Sequence, residues 1–270
     1  MSRIEATFAT LKREKRRGLI PFITAGDPDL ETTTKLLVEL AQAGATVIEL
    51  GVPFSDPVAD GPVIQRASER ALLRDFGLRE VLNVVEQSRP LMKDVAVVLF
   101  SYFNPLMQYG LERLSREAAQ AGVDGVLVTD LVPEEAEEFS AHLRAHNLDM
   151  IFLVAPTSTD TRLAMVAERA TGFIYAVSRA GVTGAQKNVS LDAERLVERV
   201  RKVSDLPVAV GFGISNAEQV AETWRYADAA VVGSALVAEI EKHAGASDLV
   251  QRTGEFVRRL IPGEAHMTKA

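Results

Sequence analysis

The sequence has no cysteine among its 270 residues. Disulfide staples, thiolate nucleophiles and zinc held by thiolates are therefore excluded. It also lacks an apolar run near the ~18 residues that a membrane span needs. The N-terminus is charged from Arg3 onward and has no apolar signal region, so the expected location is cytoplasmic. An excess of positive charge is missing as well. Thirty Lys and Arg against 37 Asp and Glu leave a formal net charge of -7, the wrong sign for a phosphate backbone. The basic run at 12–17 is the local exception; with Ile4, Phe8 and Leu11 at helical spacing it reads as a solvated helix face. No linker rich in Pro, Gly or Ser divides the chain, and no low-complexity tract appears.

What the chain does have is a rhythm of short apolar runs rich in Val, Ile and Leu. They fall at 19–24, 46–50, 95–101, 125–129, 150–154, 173–177, 207–211 and 229–232. Such unbroken runs suit parallel strands covered on both faces. Segments of helical period lie between them, among them 30–43, 63–74, 111–121, 134–146, 161–170, 192–203 and 217–226. Eight strands alternating with helices predict a TIM (β/α)8 barrel, one domain over residues 1–270. A doubly wound open sheet would carry fewer strands and a dinucleotide fingerprint, which is absent. An extra N-terminal helix at 4–16 is expected to close the barrel floor, and a short extra helix at 235–243 precedes the last barrel helix.

Barrel chemistry sits in the loops after the strands. After strands six, seven and eight come three glycine-bearing segments: Arg179-Ala180-Gly181-Val182-Thr183-Gly184, Gly211-Phe212-Gly213 and Gly233-Ser234. Backbone N–H groups approach an anion closely where no side chain intervenes. Gly233-Ser234 opens the short helix, whose N-terminal dipole favours phosphate. Gly184, Gly213, Gly233 and Ser234 are thus the expected phosphate site.

Glu49 lies inside an apolar strand, where a charged carboxylate is costly and its pKa should rise toward the working pH. That position suits a general acid or base. Asp60 admits two readings, since Asp60-Gly61-Pro62-Val63 also reads as a helix N-cap with proline in the first turn. Asp27 and Asp56 precede prolines and read as turn residues. Phe22, Phe100, Tyr102, Tyr175 and Phe212 lie in or beside strand ends and could line a flat aromatic pocket. The histidines, His142, His146, His243 and His266, fall on helical segments or the tail, and no lysine ends a strand. A metal-assisted or Schiff-base aldolase is therefore disfavoured, and no metal is expected.

The stretch from Glu49 through Leu50-Gly51-Val52-Pro53-Phe54-Ser55-Asp56-Pro57-Val58-Ala59-Asp60-Gly61-Pro62-Val63-Ile64-Gln65 resembles the signature of the tryptophan synthase alpha subunit family. Phe22-Ile23-Thr24-Ala25-Gly26-Asp27-Pro28, Tyr102-Phe103-Asn104-Pro105, Ser178-Arg179-Ala180-Gly181-Val182-Thr183-Gly184 and Gly211-Phe212-Gly213-Ile214 extend the likeness over nearly the whole chain. The resemblance implies retro-aldol cleavage of indole-3-glycerol phosphate to indole and glyceraldehyde 3-phosphate. It makes Glu49 and Asp60 the catalytic pair. Phe22, Tyr102, Tyr175, Thr183 and Phe212 become substrate-binding residues, with Thr183 on a loop that closes on Asp60. It implies a beta subunit in a linear alpha-beta-beta-alpha tetramer, touched by the loop at 53–60 and by 104–108. Pyridoxal phosphate belongs to that partner, so no cofactor is expected on this chain. Two rivals make other demands. A sugar-phosphate epimerase or isomerase would release no indole. A barrel that only activates a partner would not need the Glu49 carboxyl.

Overall fold

A computed structural model describes every residue except 93, 178–185, 212 and 264–270, and leaves out the side chains of 186–190. Its strands are β1 (Gly18–Thr24), β2 (Val47–Gly51), β3 (Ala96–Ser101), β4 (Gly125–Val128), β5 (Asp149–Val154), β6 (Ile174–Val177), β7 (Val208–Gly211) and β8 (Ala229–Val232). Every neighbouring pair is parallel, and β8 pairs with β1 to close the barrel in chain order. The expected TIM barrel is present.

Side chains alternate between the two faces of each strand, and the core divides accordingly. One apolar cluster fills the barrel and includes Ile20, Val47, Val98, Leu127, Ile151, Phe173, Ala209 and Val231. The other lies between strands and helices and includes Ile48, Leu50, Val97, Leu99 and Val210. In β2 the inward residues are Val47, Glu49 and Gly51. Glu49 pairs with Phe22 of β1 and with Val98 of β3, so its carboxyl shares a layer with apolar inward neighbours.

The floor is plugged by α1 (Arg3–Arg13), whose buried face is Ile4, Phe8 and Leu11. Ser2 caps it by accepting from Glu5 N at 3.1 Å. The Ser2 hydroxyl also donates to Asp149 at 2.6 Å, and Arg3 pairs with Asp124. Arg89 reaches the same Asp124 at 3.2 Å, and Val97 N donates to it at 2.8 Å. Asp124 and Asp149 are thus tied into the floor as structural anchors. The helix ends at Arg13, short of the expected 16, so only Lys12 and Arg13 of the basic run are helical; residues 12–16 are exposed, as the solvated reading requires.

The outer layer contains α2 (Leu30–Gln42), α3 (Pro62–Leu72), α4 (Leu78–Met92), α5 (Phe103–Tyr109), α6 (Leu111–Ala121), α7 (Glu137–Ala145), α8 (Asp160–Arg169), α9 (Gln186–Arg201), α10 (Ala217–Thr223), α11 (Ser234–Lys242) and α12 (Leu249–Leu260). Two pieces were not anticipated. The residues after strand three form α5 rather than an open loop, with its first amide, Phe103 N, donating to Asp130 at 2.7 Å. Asp130, ambiguous in the sequence, therefore caps a helix across strands. The helix packed against α2 after β2 is α4, with Val81, Leu82, Val84, Val85, Ser88 and Met92 buried. Pro90 looks like a break there, but it sits in the final turn.

Candidate active site

Glu49 is 1 % exposed, and its Oε1 has no hydrogen-bond partner. Burial alone pushes its carboxyl up to about 8. An apolar strand interior offers no compensating donor, so the neutral form wins near pH 7. The raised value favours the protonated form near neutrality.

Asp60 stands on the loop between β2 and α3. Its side chain does not cap α3: the N-cap is Gly61, with no side-chain cap bond, and Pro62 occupies the first turn. The cap reading is thereby corrected. Because proline lacks an N–H, the helix start needs one donor fewer satisfied. Gln65 Nε2 instead holds the Asp60 backbone carbonyl at 2.9 Å. The carboxyl is left free to face the site. Partial burial raises it to about 6, opposed by a hydrogen bond from Tyr102.

Tyr102 follows β3 and is buried. Its hydroxyl accepts from Ala59 N at 2.9 Å, which ties the Asp60 loop to the end of β3. Burial and the nearby Asp60 push the phenol up to about 12, so it remains a donor. Its ring lies 5.3 Å from that of Phe54. Phe22 and Phe100 meet edge to face at 5.2 Å. A small cavity of about 10 Å³ lies among Phe22, Ile64, Phe100, Tyr102, Asp60 and Thr24, with aromatic rings and a carboxyl in its lining. Phe22 and Phe100 both line it, as the pocket reading of the sequence allowed.

Tyr175, on β6, packs over Gly211 of β7, where a Cβ would collide with its hydroxyl. Burial, with the Glu49 charge second, raises this phenol well above its ordinary value. Tyr175 and Glu49 thus face the same interior. Gly213 has φ +76, a left-handed backbone with open space where a side chain would be. Gly233 is the N-cap of α11 and supplies no side-chain bond, so Ser234 opens the helix beside unshielded amides. Thr183, Gly184 and Phe212 lie outside the described residues.

One feature was invisible in the sequence. Asp27, read there as a turn residue, is buried, and both its oxygens accept from Arg70 of α3 at 2.9 and 2.8 Å. Arg70 also pairs with Glu241 of α11 at 2.8 Å, and Arg66 grips the same Glu241 through two bonds of 2.8 Å. The helix after Asp60 is thus bolted to the helix that starts at Ser234. Among the described residues, no group of three or more His, Asp or Glu gathers as metal donors.

The arrangement gives a neutral acid and an ionised carboxylate, aromatic walls, and an anion-favouring helix end at the mouth of one barrel. Comparison with known proteins agrees with it. The family model described as tryptophan synthase alpha chain matches residues 8–262. The tryptophan synthase alpha chain of Geobacter sp. (strain M21) is 51% identical over 263 residues, covering 97% of this chain and 98% of its own. That of Dechloromonas aromatica (strain RCB) is 55% identical over 243 residues, 90% of each. The crystal structure of tryptophan synthase subunit alpha from Legionella pneumophila str. Paris superposes with a TM-score of 0.89 at 38% identity, covering 96% of this chain and 97% of that one. By this match over nearly its whole length and by its fold, the chain belongs to the tryptophan synthase alpha chain family, lyases that carry out the alpha reaction of tryptophan synthase.

Proposed function

We propose that this chain cleaves indole-3-glycerol phosphate by a retro-aldol reaction in which Glu49 is the acid–base group and Asp60 the charge-stabilising one. The observation that carries this assignment is the separation of the two carboxyls, one raised to about 8 and the other to about 6. Near neutrality the first is protonated and the second ionised, which is how paired carboxyls divide acid and base roles.

The indole C3 must gain a proton before its bond to the side chain can break. Protonated Glu49 supplies it. Positive charge then spreads to the indole nitrogen, whose N–H donates to the Asp60 carboxylate. The C–C bond breaks as the side-chain hydroxyl becomes the aldehyde carbonyl, and the hydroxyl proton returns to Glu49. Indole and glyceraldehyde 3-phosphate result, with atoms and protons balanced. Phe22 and Phe100 would flank the ring, and Tyr175 would orient the substrate beside Glu49. The phosphate would rest on Gly213, Gly233 and Ser234, joined by Gly184. We place Thr183 on the loop that covers Asp60 and Phe212 against the ring, roles carried by the family resemblance.

Membership in the family implies a beta subunit as partner. We propose the alpha-beta-beta-alpha arrangement for it, located in the cytoplasm, with indole passed directly to the partner. Exposed Val58 and Met107, on the loop after β2 and on α5, support docking at the mouth. The chemistry above uses only this chain's side chains, and pyridoxal phosphate is assigned to the partner alone.

The test is indole release from indole-3-glycerol phosphate by the chain with and without a beta subunit. Glu49→Gln should abolish release while inorganic phosphate still binds. Full turnover in that variant would remove Glu49 from the acid–base role.

A further inference from the structure

The chemistry above leaves one buried polar group without a task. Thr24 ends β1 at the catalytic end of the barrel and is 3 % exposed, and its Oγ1 has no hydrogen-bond partner. Buried hydroxyls nearly always find one, commonly a nearby backbone carbonyl. Thr24 lies two residues beyond Phe22 on the same inward face, opposite Gly51. It lines the cavity that also holds Asp60 and Tyr102. An idle hydroxyl, a carboxyl and a phenol therefore surround one small space between aromatic walls.

We propose that Thr24 is a positioning residue, whose hydroxyl donates to the Asp60 carboxylate once an indole ring is seated against Asp60 and the rings that border this small cavity. The inference deepens the lyase reading above and rests on it. With the ring seated, Asp60 would accept from the indole N–H, from Tyr102 and from Thr24. A bond made in the complex and absent from the free protein favours turnover over simple binding. Keeping the hydroxyl unsatisfied in the free protein costs stability, as groups reserved for a ligand do.

The charged and titratable surroundings of Asp60 are simple among the described residues. Tyr102 at the end of β3 is the phenol that bonds it. Glu49 of β2 is neutral below about 8. On α3, Ser68 carries no charge, while Arg66 and Arg70 are held by Glu241 and Asp27. A shift of the Asp60 limb can therefore be traced to the Thr24 hydroxyl.

The experiment compares Thr24→Val and Thr24→Ser in the full chain, measuring indole release across pH together with thermal melting. Valine keeps the shape and deletes the hydroxyl, so melting should stay at or above wild type. In Thr24→Val, kcat should fall about tenfold or more with little change in KM, as loss of a charge-assisted bond requires. The acid limb of kcat should move to higher pH, while that of kcat/KM stays in place, because only the complex makes the bond. Thr24→Ser should restore both kcat and the limb. If valine's second methyl is not accommodated, Thr24→Ala makes the same comparison. Wild-type kcat and an unmoved limb in Thr24→Val overturn the inference. So does an equal fall in both variants with no shift, which marks a packing role. A wild-type chain that releases no indole overturns the lyase reading itself, and this inference with it.

Discussion

Two carboxyls, one on β2 and one on the loop that follows it, respond to different surroundings. Glu49 is sealed among apolar side chains, and Asp60 sits on a loop with a phenol to help it. On the proposed chemistry Asp60 must be charged and Glu49 protonated. Activity should fall as pH drops through about 6, where Asp60 gains its proton, and again as pH rises through about 8, where Glu49 loses its own. The kcat/KM profile of the free enzyme should be a bell between those limits. A profile flat through that range would remove one carboxyl from the reaction. Glu49 was legible in the sequence because an acidic residue inside an unbroken apolar run has no solvent to face. Asp60 was not fully legible. A proline two positions on fits both a side-chain cap and a backbone that needs none, and only the placed Gly61 decides between them. The idle hydroxyl of Thr24 could not be read at all, since a strand's sequence says nothing of where a hydroxyl finds its partner.

At the scale of elements, the strands were legible to within a residue or two because buried parallel strands announce themselves as continuous Val and Ile runs. Helices fared less evenly. Neither α4 nor α5 was anticipated: Pro90 stands in the last turn of α4, and the first amide of α5 is held by Asp130, which follows another strand. The Asp27–Arg70–Glu241–Arg66 chain of ion pairs spans 214 positions of sequence between its outermost members, and no local pattern encodes it. Its members should differ sharply in weight. Arg70→Met strands the buried Asp27 carboxylate and should cost about 3–5 kcal/mol in urea unfolding. Arg66→Ala removes an exposed pair and should cost about 0–1 kcal/mol. Equal losses would show that the clamp acts as a surface network rather than through Asp27.

For the whole molecule, the proposed catalytic groups gather at one end of the barrel, and the packed floor lies at the other. The mouth carries the carboxyls, the glycine turns and exposed Val58. The floor carries α1, with Phe8 and Phe173 packed at 5.7 Å between ring centroids. Phe8→Ala should lower unfolding free energy by about 3–5 kcal/mol. The kcat of the folded fraction should nevertheless match wild type, as an unfolding curve and indole release on the same sample would show. A large fall in kcat would mean that the floor and mouth are coupled through β6. The plugged floor has a further consequence. Below Glu49 the described barrel interior is filled by Ile20, Val47, Leu127, Ile151 and Phe173, with Phe8 of α1 packed beneath, so on the proposed chemistry its carboxyl exchanges protons chiefly through the mouth. Whenever a substrate fills the mouth, the acid is isolated from the external proton reservoir. On the proposed chemistry it must then be recharged from within the bound molecule, and the proton that the side-chain hydroxyl loses as the aldehyde forms is the one available. The barrel thereby becomes a sealed vessel, in which isotope exchange between Glu49 and solvent stops on binding and resumes when the products depart.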